Sequence, residues 1–168
     1  PKAGTTSLFS WLAAHPEVCS ARPKEPGHFL PLRWGAPLPP PDYARNFTHA
    51  RSERWRLDGT PGHAYGGGAI AEAIREASPD ARVILLLRDP IGRAFSYYRY
   101  RQSQGRLMGV DFGDYVERCL ALSEAELRRR ENQDLFGVAG GCYARWLSDW
   151  QVAFGDALRV EFFDTLVA

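Results

Sequence analysis

The chain has 168 residues, enough for one domain with a buried core. A formal net charge of +1, with 24% charged and 45% hydrophobic residues, excludes a broadly basic surface for nucleic acid or an anionic membrane. The three cysteines and four histidines are too scattered for a disulfide framework or a metal cluster, so neither is predicted.

The first element is a motif, residues 1–7 (Pro-Lys-Ala-Gly-Thr-Thr-Ser), that runs into a helix predicted over residues 5–14. Gly4 permits a close backbone approach, and the unpartnered N–H groups of a first helical turn favour an anion. Lys2 adds a mobile point charge. The spacing is not that of a Walker loop, and a capped helix with a surface lysine is the alternative interpretation.

Residues 21–41 are rich in proline and lack periodicity, so they are predicted to be mostly loop. They contain Lys24, which with Lys2 makes only two lysines in a chain that otherwise uses arginine for positive charge. Glu25 follows Lys24 directly. Further along, three consecutive glycines precede a helix predicted over residues 69–77.

The second motif follows a buried strand predicted over residues 82–87. Asp89 and Pro90 predict the start of a helix that ends near residue 104. In open α/β sheets ligands bind beyond the carboxyl ends of the strands, which is where Arg88 is expected to lie. There Arg88 could bind a phosphate through two hydrogen bonds, and the Ser96 hydroxyl could donate a further hydrogen bond. The alternative is that Arg88 is a structural partner of Asp89.

The remaining elements are a helix over residues 112–122, a helical extension over 123–131 and a strand over 157–163. Aromatic and aliphatic residues recur at helical spacing between Tyr143 and Phe154, which indicates core packing. Strands that alternate with helices predict an α/β layered domain.

Together the two motifs resemble those of the sulfotransferases that use 3′-phosphoadenosine 5′-phosphosulfate (PAPS), above all the heparan-sulfate-type group and its bacterial relatives. Residues 1–8 are similar to the family's 5′-phosphosulfate loop, and residues 83–98 are similar to its 3′-phosphate motif. Lys24-Glu25 resembles the group's Lys-Glu pair. Residues 141–163 also resemble that group, so the resemblance spans nearly the whole chain.

The resemblance implies a three-layer, P-loop-like α/β domain with a central parallel sheet flanked by helices. It implies a single domain over residues 1–168 that is incomplete at both ends, without the first strand and the C-terminal loop that closes over the nucleotide. Two departures bear on the site, the first on the aim of Glu25 and the second on acceptor specificity. Three residues separate Glu25 from Phe29, one more than the group's pattern, and Asp58-Gly59 stands where the family often has Glu-Lys.

The resemblance also implies the site. Lys2 would offset charge on the bridging oxygen of PAPS, and Glu25 would be the general base. Lys24 would orient Glu25 or contact the sulfonate, or would be a solvated surface charge. The donor-binding residues implied are Lys2, Ala3, Gly4, Thr5, Thr6, Ser7, Arg88 and Ser96. No metal is expected.

We therefore expect a sulfotransferase that moves a sulfuryl group from PAPS to a hydroxyl or amine of a carbohydrate or small metabolite. A non-catalytic nucleotide-binding module or inactive fragment is the alternative from another class, and a P-loop-type kinase ranks below both because the Walker spacing is missing. The preference for arginine over lysine predicts a bacterial source and a cytoplasmic location, with a Golgi-type location as the alternative.

Overall fold

A computed structural model describes residues 2–40 and 42–167 of the chain. In that part of the chain the strands are β1 Val18–Ser20, β2 Trp55–Leu57, β3 Val83–Leu87 and β4 Leu158–Phe162. The α-helices are α1 Thr5–Ala13, α2 Gly67–Ala77, α3 Pro90–Ser103, α4 Phe112–Ala121, α5 Glu124–Leu127, α6 Ala144–Phe154 and α7 Phe163–Val167. Short 3₁₀ helices, such as Leu30–Trp34 and Pro61–Gly66, connect them.

All the observed strand pairing is parallel, but in the described residues it forms two separate pairs. β1 pairs with β2, and β3 pairs with β4 in a register that sets Val83 opposite Leu158. The predicted strands near residues 82–87 and 157–163 are confirmed within a residue or two. β1 and β2 were not predicted, because strands of three residues are too short to show a period of two.

A cavity of about 330 Å³ separates the two strand pairs. Its walls include all of β3 and Leu57 of β2, while α1 and α6 contribute apolar side chains such as Leu8 and Trp146. Strands and helices therefore both form the walls of the cavity, and the lining side chains are mainly apolar.

The largest core cluster joins α2 to α6. Its buried members are Phe29, Ile70, Ala71, Trp150 and Phe154. The predicted apolar stripe of α6 is therefore confirmed at Trp150 and Phe154, which lie one turn apart and pack on α2. This packing fixes α6 behind β3 and carries Tyr143, the residue before α6, to the end of that strand.

The start of α3 is fixed by the residues that the sequence indicated. The Asp89 carboxylate accepts the Gly92 N–H at 2.6 Å, which caps the helix, and Pro90 occupies its first position. The Arg93 side chain is fully buried and donates to the Gly137 carbonyl at 2.6 Å and to the Tyr65 hydroxyl at 3.2 Å. Arg93 therefore anchors α3 to the loop that precedes α6.

Replacing this buried guanidinium should destabilise the fold. We expect Arg93→Met to lower the free energy of unfolding by about 3 kcal/mol, because the Gly137 carbonyl and the Tyr65 hydroxyl lose their charged donor. Urea denaturation measures the change. Arg99→Met, on the exposed side of the same helix, is the matched control and should stay within about 0.5 kcal/mol of the parent; equal values for the two variants would contradict the anchoring role.

Candidate active site

The loop before α1 has an unusual backbone. Lys2 and Gly4 have φ values of 71° and 79°, in the left-handed region, and Ala3 between them is 3% exposed. A Cβ on Gly4 would lie 2.8 Å from the Phe163 ring. Glycine is therefore required at this position both by its φ value and by the space available. Pro1, the first residue of the motif, lies outside the described residues.

The N-terminus of α1 is open to an anion. Among the described residues no side chain caps it, and its first turn contains no acidic residue. The N–H groups of Thr5, Thr6 and Ser7 therefore lie at the positive end of a nine-residue helix without a side-chain acceptor. Together with the left-handed turn at Gly4, this arrangement suits a phosphate or sulfate group.

Arg88 lies directly after β3 and reaches the same loop. Its Nη1 donates to the Lys2 carbonyl at 3.4 Å, and its guanidinium lies 4.6 Å from the centroid of the Phe163 ring. The Tyr143 hydroxyl accepts the Arg88 N–H at 3.1 Å and donates to the Arg88 carbonyl at 2.8 Å. The Asp89 carboxylate caps α3, and among the described residues no hydrogen bond or ion pair joins it to the Arg88 side chain.

Lys24 and Glu25 form an ion pair beside the first turn of α1. The Lys24 Nζ lies 2.8 Å from the Glu25 Oε1 and 3.4 Å from the Thr6 Oγ1. Of the two side chains, that of Lys24 is 25% exposed and that of Glu25 is 50% exposed, so the carboxylate faces solvent at the mouth of the anion-binding loop. The interpretation in which Lys24 orients Glu25 agrees with this geometry.

The structure leaves two of the predicted residues further from these contacts. The Lys2 Nζ lies 4.8 Å from the centroid of the Tyr100 ring on α3, a cation–π position. Ser96 is half-buried in the second turn of α3 and, in the described part of the chain, makes no side-chain hydrogen bond. In the described residues the Lys2 ammonium is therefore directed toward α3, and Ser96 lies on that helix.

A partly buried polar cluster lies next to the Lys24–Glu25 segment. The Asp58 carboxylate accepts from the Tyr43 hydroxyl and from the Thr60 N–H, each at 2.8 Å. Burial raises the pKa of the Tyr43 hydroxyl, and the nearby Asp58 charge adds to that shift. Burial also lowers the pKa of His63, which is 9% exposed.

Two residues contribute to the site in a way that the sequence does not indicate. The sequence predicts core packing for Tyr143, but its hydroxyl bonds to both backbone groups of Arg88. The sequence predicts that Phe163 ends a strand, but its ring packs on Gly4 and against the Arg88 guanidinium. No local pattern identifies either residue, because both act on residues that are distant in sequence.

Among the described residues, no His, Cys, Asp and Glu side chains gather in a group of three or more that could hold a metal ion. In the same part of the chain no helix combines the length and apolarity that crossing a bilayer requires.

Comparisons with known proteins identify relatives. The chain matches no family model. It is 22% identical over 179 residues to the bifunctional heparan sulfate N-deacetylase/N-sulfotransferase of Drosophila melanogaster, and 26% identical over 168 residues to the human bifunctional heparan sulfate N-deacetylase/N-sulfotransferase 3. These matches cover 97% and 91% of this chain but only 17% and 18% of the relatives.

A solved structure decides the fold. The crystal structure of a sulfotransferase from Alicyclobacillus acidocaldarius superposes with a TM-score of 0.79 at 23% sequence identity, over 99% of this chain and 71% of that one. The chain has the sulfotransferase fold. The resemblance to sulfotransferases and the prediction of a P-loop-like α/β domain are thus confirmed.

The left-handed turn of this sulfotransferase fold can be tested by substitution. We expect Gly4→Ala to lower the free energy of unfolding by about 2–4 kcal/mol, because a left-handed φ costs about 1–2 kcal/mol and the added methyl meets the Phe163 ring. Gly105→Ala is the matched control: it has a φ of 72° but nothing within 4 Å of the new Cβ, so it reports the backbone cost alone. Thermal or urea unfolding that gives equal losses would show that Phe163 does not restrict Gly4.

Proposed function

We propose that the chain is a PAPS-dependent sulfotransferase. The observation that carries the proposal is the meeting of three chemically different groups at one loop: the open N-terminus of α1, the guanidinium of Arg88 and the Lys24–Glu25 pair. The first two suit the anionic ends of a nucleotide, and the third supplies a solvent-facing carboxylate. The fold and the matched relatives support the same reaction class.

The reaction is an in-line displacement at sulfur. An acceptor oxygen or nitrogen attacks, a bond to sulfur forms, and the bond between sulfur and the bridging phosphate oxygen breaks to release adenosine 3′,5′-bisphosphate. Glu25 takes the proton of the acceptor. Lys24 links Glu25 to the anion-binding loop, because its Nζ contacts both the Glu25 carboxylate and the Thr6 hydroxyl. The reaction depends mainly on positioning and charge stabilisation.

The loop residues Lys2, Ala3, Gly4, Thr5, Thr6 and Ser7 hold the 5′-phosphosulfate in this proposal. The flexible stem of Lys2 lets its ammonium leave the Tyr100 ring and offset the charge that develops on the leaving phosphate. Arg88 and Ser96 hold the 3′-phosphate, with Tyr143 and Phe163 fixing Arg88.

The proposed acceptor is a carbohydrate or small metabolite with a hydroxyl or amine. The two bifunctional relatives carry heparan sulfate and N-sulfotransferase in their names, which supports a sugar-linked acceptor. Because Gly59 stands where the resembling group often has a lysine, one positive charge is missing there, and an acidic chain such as heparan sulfate itself is less suited to this chain than a neutral acceptor.

The affinities for two nucleotides test whether PAPS is the sulfuryl donor. We expect adenosine 3′,5′-bisphosphate to bind at least about tenfold more tightly than ADP, since a phosphate held by Arg88 through charge-assisted hydrogen bonds contributes about 1.5–3 kcal/mol. Isothermal titration calorimetry measures both affinities. Equal affinity for the two nucleotides, or binding of neither, would refute the PAPS proposal.

Lys2 is expected to act on the chemical step. Lys2→Ala should reduce kcat for sulfate transfer from PAPS by about 10²–10³-fold while the fold is kept, because a charge stabilising the leaving oxygen is lost. Arg128→Ala, which removes an exposed cation elsewhere, is the control and should match the parent. Transfer by Lys2→Ala at the parental rate would remove Lys2 from the mechanism.

Glu25 is expected to act as the base. Glu25→Gln keeps the size of the side chain but cannot take a proton, so turnover should fall by about 10²-fold while affinity for adenosine 3′,5′-bisphosphate is unchanged. Steady-state kinetics and calorimetry separate the two effects. Unchanged turnover would assign the base elsewhere.

A further inference from the structure

The turn of residues 58–60 lies against both ends of the Lys24–Glu25 segment. The Gly59 N–H donates to the Lys24 carbonyl at 3.1 Å, just before Glu25. The Gly27 N–H donates to the Thr60 Oγ1 at 3.2 Å, just after it. The backbone that carries Glu25 is therefore held at two points by one turn.

The turn itself is held by Asp58. One carboxylate oxygen accepts the Thr60 N–H and the other accepts the Tyr43 hydroxyl. Tyr43 in turn packs against His28, three residues after Glu25, with ring centroids 5.1 Å apart. Thr60 is 8% exposed, which shields its hydrogen bond to Gly27 from water.

The Lys24–Glu25 ion pair cannot fix the aim of Glu25 alone. The carboxylate is half exposed, and an ion pair in contact with solvent contributes little to order. A reacting group displaced by about 1 Å can lose about 10²-fold in rate. Among the described residues, the hydrogen bonds of Gly59 to the Lys24 carbonyl and of Gly27 to Thr60 flank Glu25 and constrain the backbone that carries its carboxylate.

We propose that Thr60 and Asp58 are positioning residues that aim Glu25 at the acceptor. The proposal rests on the function proposed above and adds residues to it. Thr60 acts through the Gly27 N–H, and Asp58 acts by holding Thr60. Neither touches the reacting atoms.

Thr60→Val removes the hydroxyl at nearly constant volume, and Thr60→Ser keeps it. We expect Thr60→Val to lower kcat by about tenfold or more with the KM for PAPS within about twofold of the parent, and Thr60→Ser to restore most of the rate. A Thr60→Val enzyme with parental kcat would overturn the proposal. So would Thr60→Ser failing as badly as Thr60→Val while both remain folded by circular dichroism.

A double-mutant cycle separates positioning from a general structural loss. In a Glu25→Gln background Thr60→Val should reduce the remaining rate by less than about twofold, because the group that it aims is already absent. A full second loss in that background would show that Thr60 acts through something other than Glu25.

Measurements that do not depend on catalysis distinguish failure of this inference from failure of the proposed function. Hydrogen exchange at the Gly27 amide should quicken by about tenfold or more in Thr60→Val, and the carboxyl carbon resonance of Glu25 should shift. Unchanged exchange and resonance would overturn the positioning role even in an enzyme that transfers sulfate. If Thr60→Val does not fold, Asp58→Ala, which removes both acceptor oxygens, is measured in the same way with the same expected and contrary outcomes.

Discussion

The close approach of the Lys2–Gly4 loop to the ends of β3 and β4 determines the rest of the site. It is possible only because Gly4 takes a left-handed φ and presents no Cβ to the Phe163 ring. That approach brings the first turn of α1 to the carboxyl edge of the strands, where Arg88 also stands. A methyl group added at Gly4 would lie 2.8 Å from the Phe163 ring, so this close approach requires glycine.

The site combines rigid and adjustable parts. The Arg88 backbone is held on two sides by one tyrosine hydroxyl, and its guanidinium stacks on an aromatic ring. Lys2, in contrast, has a flexible stem and a weak cation–π partner at an exposed tyrosine. A fixed arginine suits ground-state binding of a phosphate, whereas a mobile lysine can follow charge that appears only during reaction.

The sequence predicted the parts of the site that depend on neighbouring residues. The anion loop, the strand followed by Arg88 and the Asp89 cap each lie within a few residues, where period, capping and glycine leave readable patterns. The contacts of Tyr143 with Arg88 and of Thr60 with Gly27 join residues 55 and 33 positions apart, and a single sequence holds no record of such pairing. The separation of the strands into two pairs could not be predicted from the sequence for the same reason.

The cavity between those pairs has a consequence for the behaviour of the polypeptide in solution. In the described residues β3 pairs only with β4, so its other edge offers unpaired backbone donors and acceptors to an apolar space, and Ile84 in mid-strand is 42% exposed. Such an edge can add a strand from any chain that reaches it.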